Sequence, residues 1–315
     1  MREILKGLLT AGTVNIYTHR GPDGDSLSSC VGLQRMLTHL DASIDAQVIV
    51  LDPLDGKLAT CSVARDVRTT DRAADLYVYP DTSRVQSVTA LHTPSICIDH
   101  HTQRQPFSDV EYVRVWPSCS GMLYRAFRAL GYDAPPSVAE ALLVGAVDDT
   151  GCGKYGSLQN RARALRDIRE LDDICGQYTP SFVNSFFGLT LEQQRWALEL
   201  SERANIRDGV CTVHVPPEQL VGKTNASIRR TLQELTNTLS ASYYLWCRAM
   251  QPDPTGPLTQ QHLYSLRGEG DVLTFALRYG GNGHVQAAGF VTKEEPSTVF
   301  AAFHEYVRTI PRIHR

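Results

Sequence analysis

Four short apolar runs, Val14–Thr18, Gln47–Leu51, Leu76–Tyr79 and Ser95–Ile98, are separated by helical stretches in the first half of the chain. This alternation of strand, crossover helix and strand constrains the fold most, because it is the signature of a largely parallel sheet. One crossover is explicit: Leu27, Cys30, Val31, Leu33, Met36, Leu37 and Leu40 recur at three-and-four spacing just after Pro22-Asp23-Gly24-Asp25. A second helix is expected from Ser137, where Ser137 and Glu140 form a capping-box pattern ahead of Ala141, Leu142, Val144 and Val147; it ends at Asp148-Asp149-Thr150-Gly151.

Leu189 to Ile206 reads as a polar helix without Gly or Pro, and a new alternation begins after Asp208-Gly209. Strands are expected at Gly209–Val215, Tyr243–Ala249 and Leu263–Arg267, with helices over Ile228–Leu239 and near Val272–Tyr279 before a Gly-rich turn. With 315 residues, the chain is long enough for two domains. The expected division is a parallel-sheet domain over residues 1–185, a linker helix over 186–206 and a smaller α/β domain over 207–315. From residue 207 onward Lys+Arg number 11 against 9 Asp+Glu, leaving 20 against 25 before it. The acidic half suits cations and the slightly basic half suits phosphate.

The longest apolar run, Ala141–Val147, is far short of the ~20 residues that cross a bilayer, and Arg2 and Lys6 do not fit a secretory leader. A cytoplasmic address with no membrane partner is expected. A net charge of -3 argues against a partner as large as long duplex nucleic acid and leaves short anionic ligands open. The eight cysteines contain no C-x-x-C pair, so they read as reduced thiols without a disulfide frame or a zinc motif.

Three of the strands stop at chemically active residues. Val14–Thr18 runs into His19, Leu76–Tyr79 into Asp81, and Ser95–Ile98 into Asp99-His100-His101, while the Ser137 helix delivers Asp149 in the same way. Ligands of an open parallel sheet sit beyond the carboxyl ends of its strands, so these residues are expected to face one crevice. Asp23 and Asp25 add two more carboxylates, and two of the imidazoles with four of the carboxylates, without a thiolate, already make a set of six. Such a set suits Mn²⁺ or Mg²⁺, with Zn²⁺ and Co²⁺ less favoured. Six ligands exceed what one catalytic ion with an open water position needs, whereas two ions roughly 3.5–4 Å apart, bridged by a carboxylate, would use them all and clamp a phosphoryl group. Taken singly, Pro-Asp-Gly-Asp is ordinarily a solvated turn and Asp81 a turn cap. Their recurrence at four element ends in one α/β half is what points to a site.

These motifs resemble the DHH phosphoesterase superfamily. HRGPDGDSLSS (His19–Ser29), YPDTS (Tyr79–Ser83), IDHH (Ile98–His101) and VDDTG (Val147–Gly151) follow that family's order and spacing. YSLRG (Tyr264–Gly268) and GGNGHVQAAGF (Gly280–Phe290) are similar to its C-terminal, DHH-associated domain. The resemblance implies an active site in the cleft between the two domains. It implies one metal on His19, Asp23 and Asp81, a second on Asp25, Asp81, His100 and Asp149, and Asp81 as the bridge. Asp99 would orient its neighbouring histidine and His101 would sit by the scissile phosphate. Arg267, Gly281, Asn282, Gly283 and His284 would hold the nucleotide part of the substrate. Arg104 stands where Asn is common and Asn282 where Gly is common, so both are candidate substrate contacts peculiar to this chain.

The activity implied is a Mn²⁺-dependent phosphoesterase, with two divalent ions and a bridging water as nucleophile. It would cut short oligonucleotides (nano-RNA, dinucleotides) to mononucleotides and 3′-phosphoadenosine 5′-phosphate (pAp) to AMP, as a possible homodimer. The alternative within enzymes is a phosphodiesterase for cyclic or linear dinucleotides in signalling. The alternative outside them is a catalytically silent nucleotide-binding regulator.

Overall fold

The computed structural model describes residues 1–54, 56–88, 91–102, 104–250 and 261–310. They belong to two units, Met1–Phe186 and Phe187–Arg315. The first is built on six strands: β1 Thr13–Tyr17, β2 Asp45–Ile49, β3 Val67–Arg68, β4 Leu76–Pro80, β5 Ser95–Asp99 and β6 Val110–Val113. Their order is β3-β2-β1-β4-β5-β6 and every pairing is parallel. β4 and β5 are buried along their whole length, as central strands of a sheet covered on both faces must be. The order reverses between β1 and β4, and there the crossovers diverge and leave a crevice at the carboxyl ends. β3 has only two residues and β6 is a half-exposed edge, so neither carries enough apolar pattern to be read from sequence.

The helices in this part of the chain are α1 Arg2–Thr10, α2 Gly24–Leu40, α3 Gly56–Thr60, α4 Cys119–Ala129, α5 Pro136–Thr150, α6 Leu158–Cys175 and α7 Pro180–Phe187. α2 packs on β1, β2 and β4 and against α5, which also meets α4 and α6. Residues 141–147 of α5 are buried without a break, which explains the longest apolar run as a central helix surrounded by others. α5 does not start with the expected capping box. Pro136 occupies its first turn, where the fixed φ of proline is already helical, and Pro135 precedes it with no side-chain cap. Glu140 instead accepts a hydrogen bond from Ser62 Oγ (2.7 Å) and lies 3.9 Å from Arg35.

The second unit also has six strands: β7 Asn205–Arg207, β8 Val210–Val215, β9 Tyr243–Ala249, β10 His262–Gly268, β11 Asn282–His284 and β12 Ala287–Thr292, in the order β11-β12-β10-β9-β8-β7. Among the described residues, only β8 and β9 pair in parallel. Its helices are α8 Leu191–Glu202, α9 Asn225–Thr238, α10 Leu273–Leu277 and α11 Pro296–Thr309. The helix expected over Leu189–Ile206 is therefore shorter. It is stopped at Thr190 by a capping box with Gln193, and Asn205–Arg207 pairs with β8 as an edge strand. Trp196 and Leu200 of α8 are buried with Val213, Ile228 and Leu232 on one face of the sheet; Leu245, Tyr264, Phe275 and Phe303 pack on the other. Among the described residues, no helix is long and apolar enough to cross a membrane.

The α2–α5 contact sets how closely the site-bearing helix ends approach. A Cβ on Gly32 would fall inside the Leu142 side chain, whereas one on Gly7, in α1, meets nothing within 4 Å. Gly32→Ala is expected to destabilise the chain by about 1–3 kcal/mol through overpacking. Gly7→Ala should stabilise it by about 0.5–1 kcal/mol through helix propensity. Thermal unfolding of the two variants should thus shift in opposite directions.

Candidate metal centre

His19 lies two residues beyond β1, Asp81 directly beyond β4, Asp99 ends β5, and His100 and His101 follow it. The ends of β1 and β4 flank the reversal of strand order, where a crevice is expected. From the helices, Asp23 is the N-cap of α2, Asp25 sits in its first turn, and Asp149 in the last turn of α5. Single donor atoms of His19, Asp23 and Asp81 all lie within 4.8 Å of one another, and so do those of Asp25, His100 and Asp149.

Asp81 lies between the two groups. His19 Nε2 is 3.8 Å from its Oδ2 and His100 Nε2 is 3.2 Å from its Oδ1. His19 Nε2 is also 3.7 Å from Asp23, and His100 Nε2 is 3.6 Å from Asp149 and 3.8 Å from Asp25. Asp81 adopts φ +53°, a left-handed conformation that costs most side chains free energy and that Asp tolerates better than most. Its amide donates to Ile98 O (2.8 Å), extending the β4–β5 pairing by one residue before the chain turns. Its Oδ1 is buried and accepts no hydrogen bond.

The remaining groups are held from behind. His19 Nδ1 contacts Arg20 O (2.8 Å) and His100 Nδ1 contacts Trp116 O (2.9 Å). A carbonyl accepts only a proton, so each Nδ1 carries it and Nε2 faces the carboxylates as the ligand nitrogen. Trp116 is fixed in turn by its Nε1–H donating to Asp167 (2.7 Å). Asp25 accepts the amides of Cys119 (2.6 Å) and Ser120 (2.9 Å) at the start of α4, where the helix dipole also favours a carboxylate. Ser26 Oγ accepts the His19 amide (3.1 Å), and Asp148 accepts the Gly24 amide (2.8 Å). A Cβ on Gly145 would stand 2.6 Å from Asp25 Oδ1, so α5 must be bare there for the carboxylate to fit.

Asp99 is fully buried and lies behind the group. Its Oδ1 meets His101 Nδ1 at 2.8 Å and accepts the His100 amide at 2.9 Å, while Arg104 Nε donates to its Oδ2 (3.1 Å). Burial works to raise its pKa, but His101 and His100 hold it down at about 2. Arg104 also donates to Glu111 Oε2 and to Cys97 Sγ. It is therefore an internal support for Asp99, and its guanidinium is oriented into the protein and away from the ligand contact expected of it.

The other sequence candidates lie in the second unit. Arg267 is on β10 opposite Ala287, which is opposite His284, so the three share one face. The Arg267 guanidinium lies 5.7 Å from the Trp246 ring. Asn282 and Gly283 belong to β11, paired with Gly289 and Ala288. The amide of Gly281 donates to Ala276 O (2.9 Å), and a Cβ there would meet the backbone of Gly289 and Ala276. Gly281 thus serves a close backbone approach, and its amide is already spent rather than offered to an anion.

The supports that sequence reasoning missed are Trp116, Asp148, Asp167 and the Ser118-Cys119-Ser120 helix start. Only the last had a local signal, an N-cap serine after Trp116-Pro117.

The donor set fits hard divalent ions: four carboxylates, two imidazole nitrogens already turned inward, and one buried oxygen lacking a partner. In the bare protein, protons take that place. His19 is pushed up to about 9, since Asp23 and Asp81 outweigh the burial that would lower it. Burial also opposes charge on His100, but Asp81, Asp149 and Asp25 raise it well above its ordinary value. Burial and Asp81 raise Asp25 to about 6, and burial raises Asp149 well above the carboxylate range. A histidine raised by folding stabilises the protein below its unfolded value and loses that contribution as pH climbs through its folded value. The melting temperature of metal-stripped protein should therefore fall between about pH 6.5 and pH 9. Saturating Mn²⁺ should flatten this fall, as scanning calorimetry with and without the ion would record.

Residues 13–146 match the DHH family, N-terminal domain. Among solved structures, an exopolyphosphatase-related protein from Bacteroides fragilis aligns at 18% identity and TM-score 0.77, covering 98% of this chain and 95% of its own. Exonuclease RecJ bound to manganese aligns at 15% identity and TM-score 0.50, covering 98% of this chain and 94% of its own. No curated protein matches the sequence. The structural likenesses are likenesses of fold, and the family match is confined to residues 13–146, from β1 into α5.

Proposed function

We propose that the chain is a Mn²⁺-dependent phosphoesterase that hydrolyses short oligonucleotides to mononucleotides and pAp to AMP. The observation that carries this reading is the pair of donor groups, His19 with Asp23 and Asp81, and Asp25 with His100 and Asp149, joined by the 3.2 Å approach of His100 Nε2 to the buried Asp81 Oδ1 at the sheet's reversal point. Two divalent ions held there supply Lewis-acid activation of water and neutralise charge on a phosphoryl group. His19, Asp23 and Asp81 would hold one, Asp25, Asp81, His100 and Asp149 the other. The oxygen-rich donors favour Mn²⁺ or Mg²⁺ over softer ions.

The chain's own residues then position and move protons. Asp99, fixed by Arg104, keeps the proton of His101 on Nδ1, so Nε2 is the atom that meets the phosphoryl or leaving oxygen. Arg267 supplies a planar cation for bidentate phosphate binding and His284 lies on the same face. Neither Ser nor Cys is required as a nucleophile.

The test is a substrate panel with Mn²⁺: di- to pentanucleotides, pAp, pApA, pGpG, c-di-AMP and inorganic polyphosphate. Mononucleotides from the short oligomers and AMP from pAp are expected as the fastest products. Faster turnover of cyclic or linear dinucleotide signals would shift the assignment to a signalling phosphodiesterase, and inactivity of metal-loaded protein on all of them would refute it. Asp81→Asn preserves shape and tolerance of positive φ while removing the charge, and should lower turnover by about a thousand-fold or more. Gly145→Ala should weaken metal binding by about 10–100-fold through Asp25. Arg267→Ala should raise KM by about 10–100-fold with a smaller change in kcat.

A further inference from the structure

The second unit carries a group of donors that the phosphoesterase reading does not use. His214 on β8, Cys247 on β9 and His262 on β10 each offer a ligand atom, and these atoms lie within 4.8 Å of one another. The sheet register brings them together: His214 pairs with Cys247, Cys247 with Tyr264, and His262 precedes Tyr264 by two residues. Paired residues point to one face and strand side chains repeat every second residue, so all three project from the same face. The rings of His214 and His262 stand edge to face, 6.4 Å apart, over the buried Cys247.

An edge-to-face histidine pair above a core cysteine is in most proteins simple packing. Here His262 Nδ1 is buried and has no hydrogen-bond partner among the described residues. Leaving a buried nitrogen unsatisfied is unfavourable, and imidazole, imidazole and thiolate are the donors that a borderline-soft ion collects.

We propose that His214, Cys247 and His262 form a second, separate metal site for a thiophilic divalent ion of the Zn²⁺ class, with three protein ligands and a fourth position for water. His214 is exposed and opens the site to solvent, while Cys247 is fully buried and anchors it. Binding displaces the thiol proton of Cys247 to solvent and forms one metal–sulfur bond. No oxidant is involved. The site does not depend on the phosphoesterase reading, because none of its residues belongs to that group.

The two sites are distinguishable by sulfur. With the oxygen-rich group preloaded with Mn²⁺, full-length protein titrated with CoCl₂ is expected to develop a sulfur-to-cobalt charge-transfer band that saturates at one equivalent and is displaced by Zn²⁺. His214→Ala, at an exposed position compatible with folding, should weaken Co²⁺ binding by about 10-fold or more. Cys247→Ser should abolish the band. Both variants should keep their Mn²⁺-dependent activity. Absence of the band in the parent protein overturns the proposal. A band of undiminished strength and affinity in His214→Ala and His262→Ala also overturns it, since another cysteine would then be the source, and these two variants decide the matter if Cys247→Ser does not fold.

Discussion

Asp81 is buried beside other carboxylates. Two unit charges about 4 Å apart in a protein-like medium repel by about 4 kcal/mol, so a cluster of this kind is unstable unless each member is answered individually. Asp25 is answered by two amides at the start of α4, Asp23 by the amide of Ser26 and Asp99 by Arg104 and the backbone. Asp81 Oδ1 has no amide or guanidinium donor among the described residues, and both ligand imidazoles are turned toward its carboxyl group by carbonyls behind them. A cation there would answer that oxygen, and the surrounding bonds hold the other groups in place around it.

That demand reaches into the fold. Asp25 and Asp149 belong to helices that pack on each other, so the spacing of their carboxylates is a helix–helix distance. Glycine at 24, 32 and 145 lets α2 and α5 approach until a Cβ at any of them would collide with Asp148, Leu142 or the Asp25–Ser120 pair. These glycines lower helix propensity, a small loss against the shared core they allow. Sites held to this precision are better carried on packed elements than on loops, and here only short turns intervene between the last ladder bond and the ligand.

The parts legible in the sequence were those that repeat or that sit at element ends. Central strands and α2 declared themselves by apolar period, and the site residues by falling directly after them. What was not legible depended on pairing across distance. Ser137 and Glu140 have the spacing of a capping box, but Pro135-Pro136 starts the helix and Glu140 is drawn to Ser62 and Arg35, some 80 and 100 residues away in the chain. Ile206 continues a helical pattern in sequence, yet Asn205–Arg207 pairs with β8 because the sheet needs an edge. Arg104 looked like a ligand contact from its position near His101; only the fold shows Asp99, Glu111 and Cys97 around it. His214, Cys247 and His262 lie on three strands without any short motif, so spacing along the chain could not have joined them.

The two donor groups differ in the property by which ions are sorted. Sulfur and imidazole bind Zn²⁺ far better than Mn²⁺, whereas carboxylates discriminate less, and raw affinity for either kind of site rises from Mn²⁺ toward Zn²⁺. A lone oxygen-rich centre therefore has little defence against the tighter-binding ion. A thiolate site on the same chain would ease that competition up to one equivalent of a Zn²⁺-class ion, which it would take up before the carboxylates fill. One hard and one soft donor set on the same chain would thus divide the two kinds of ion between them by ligand chemistry.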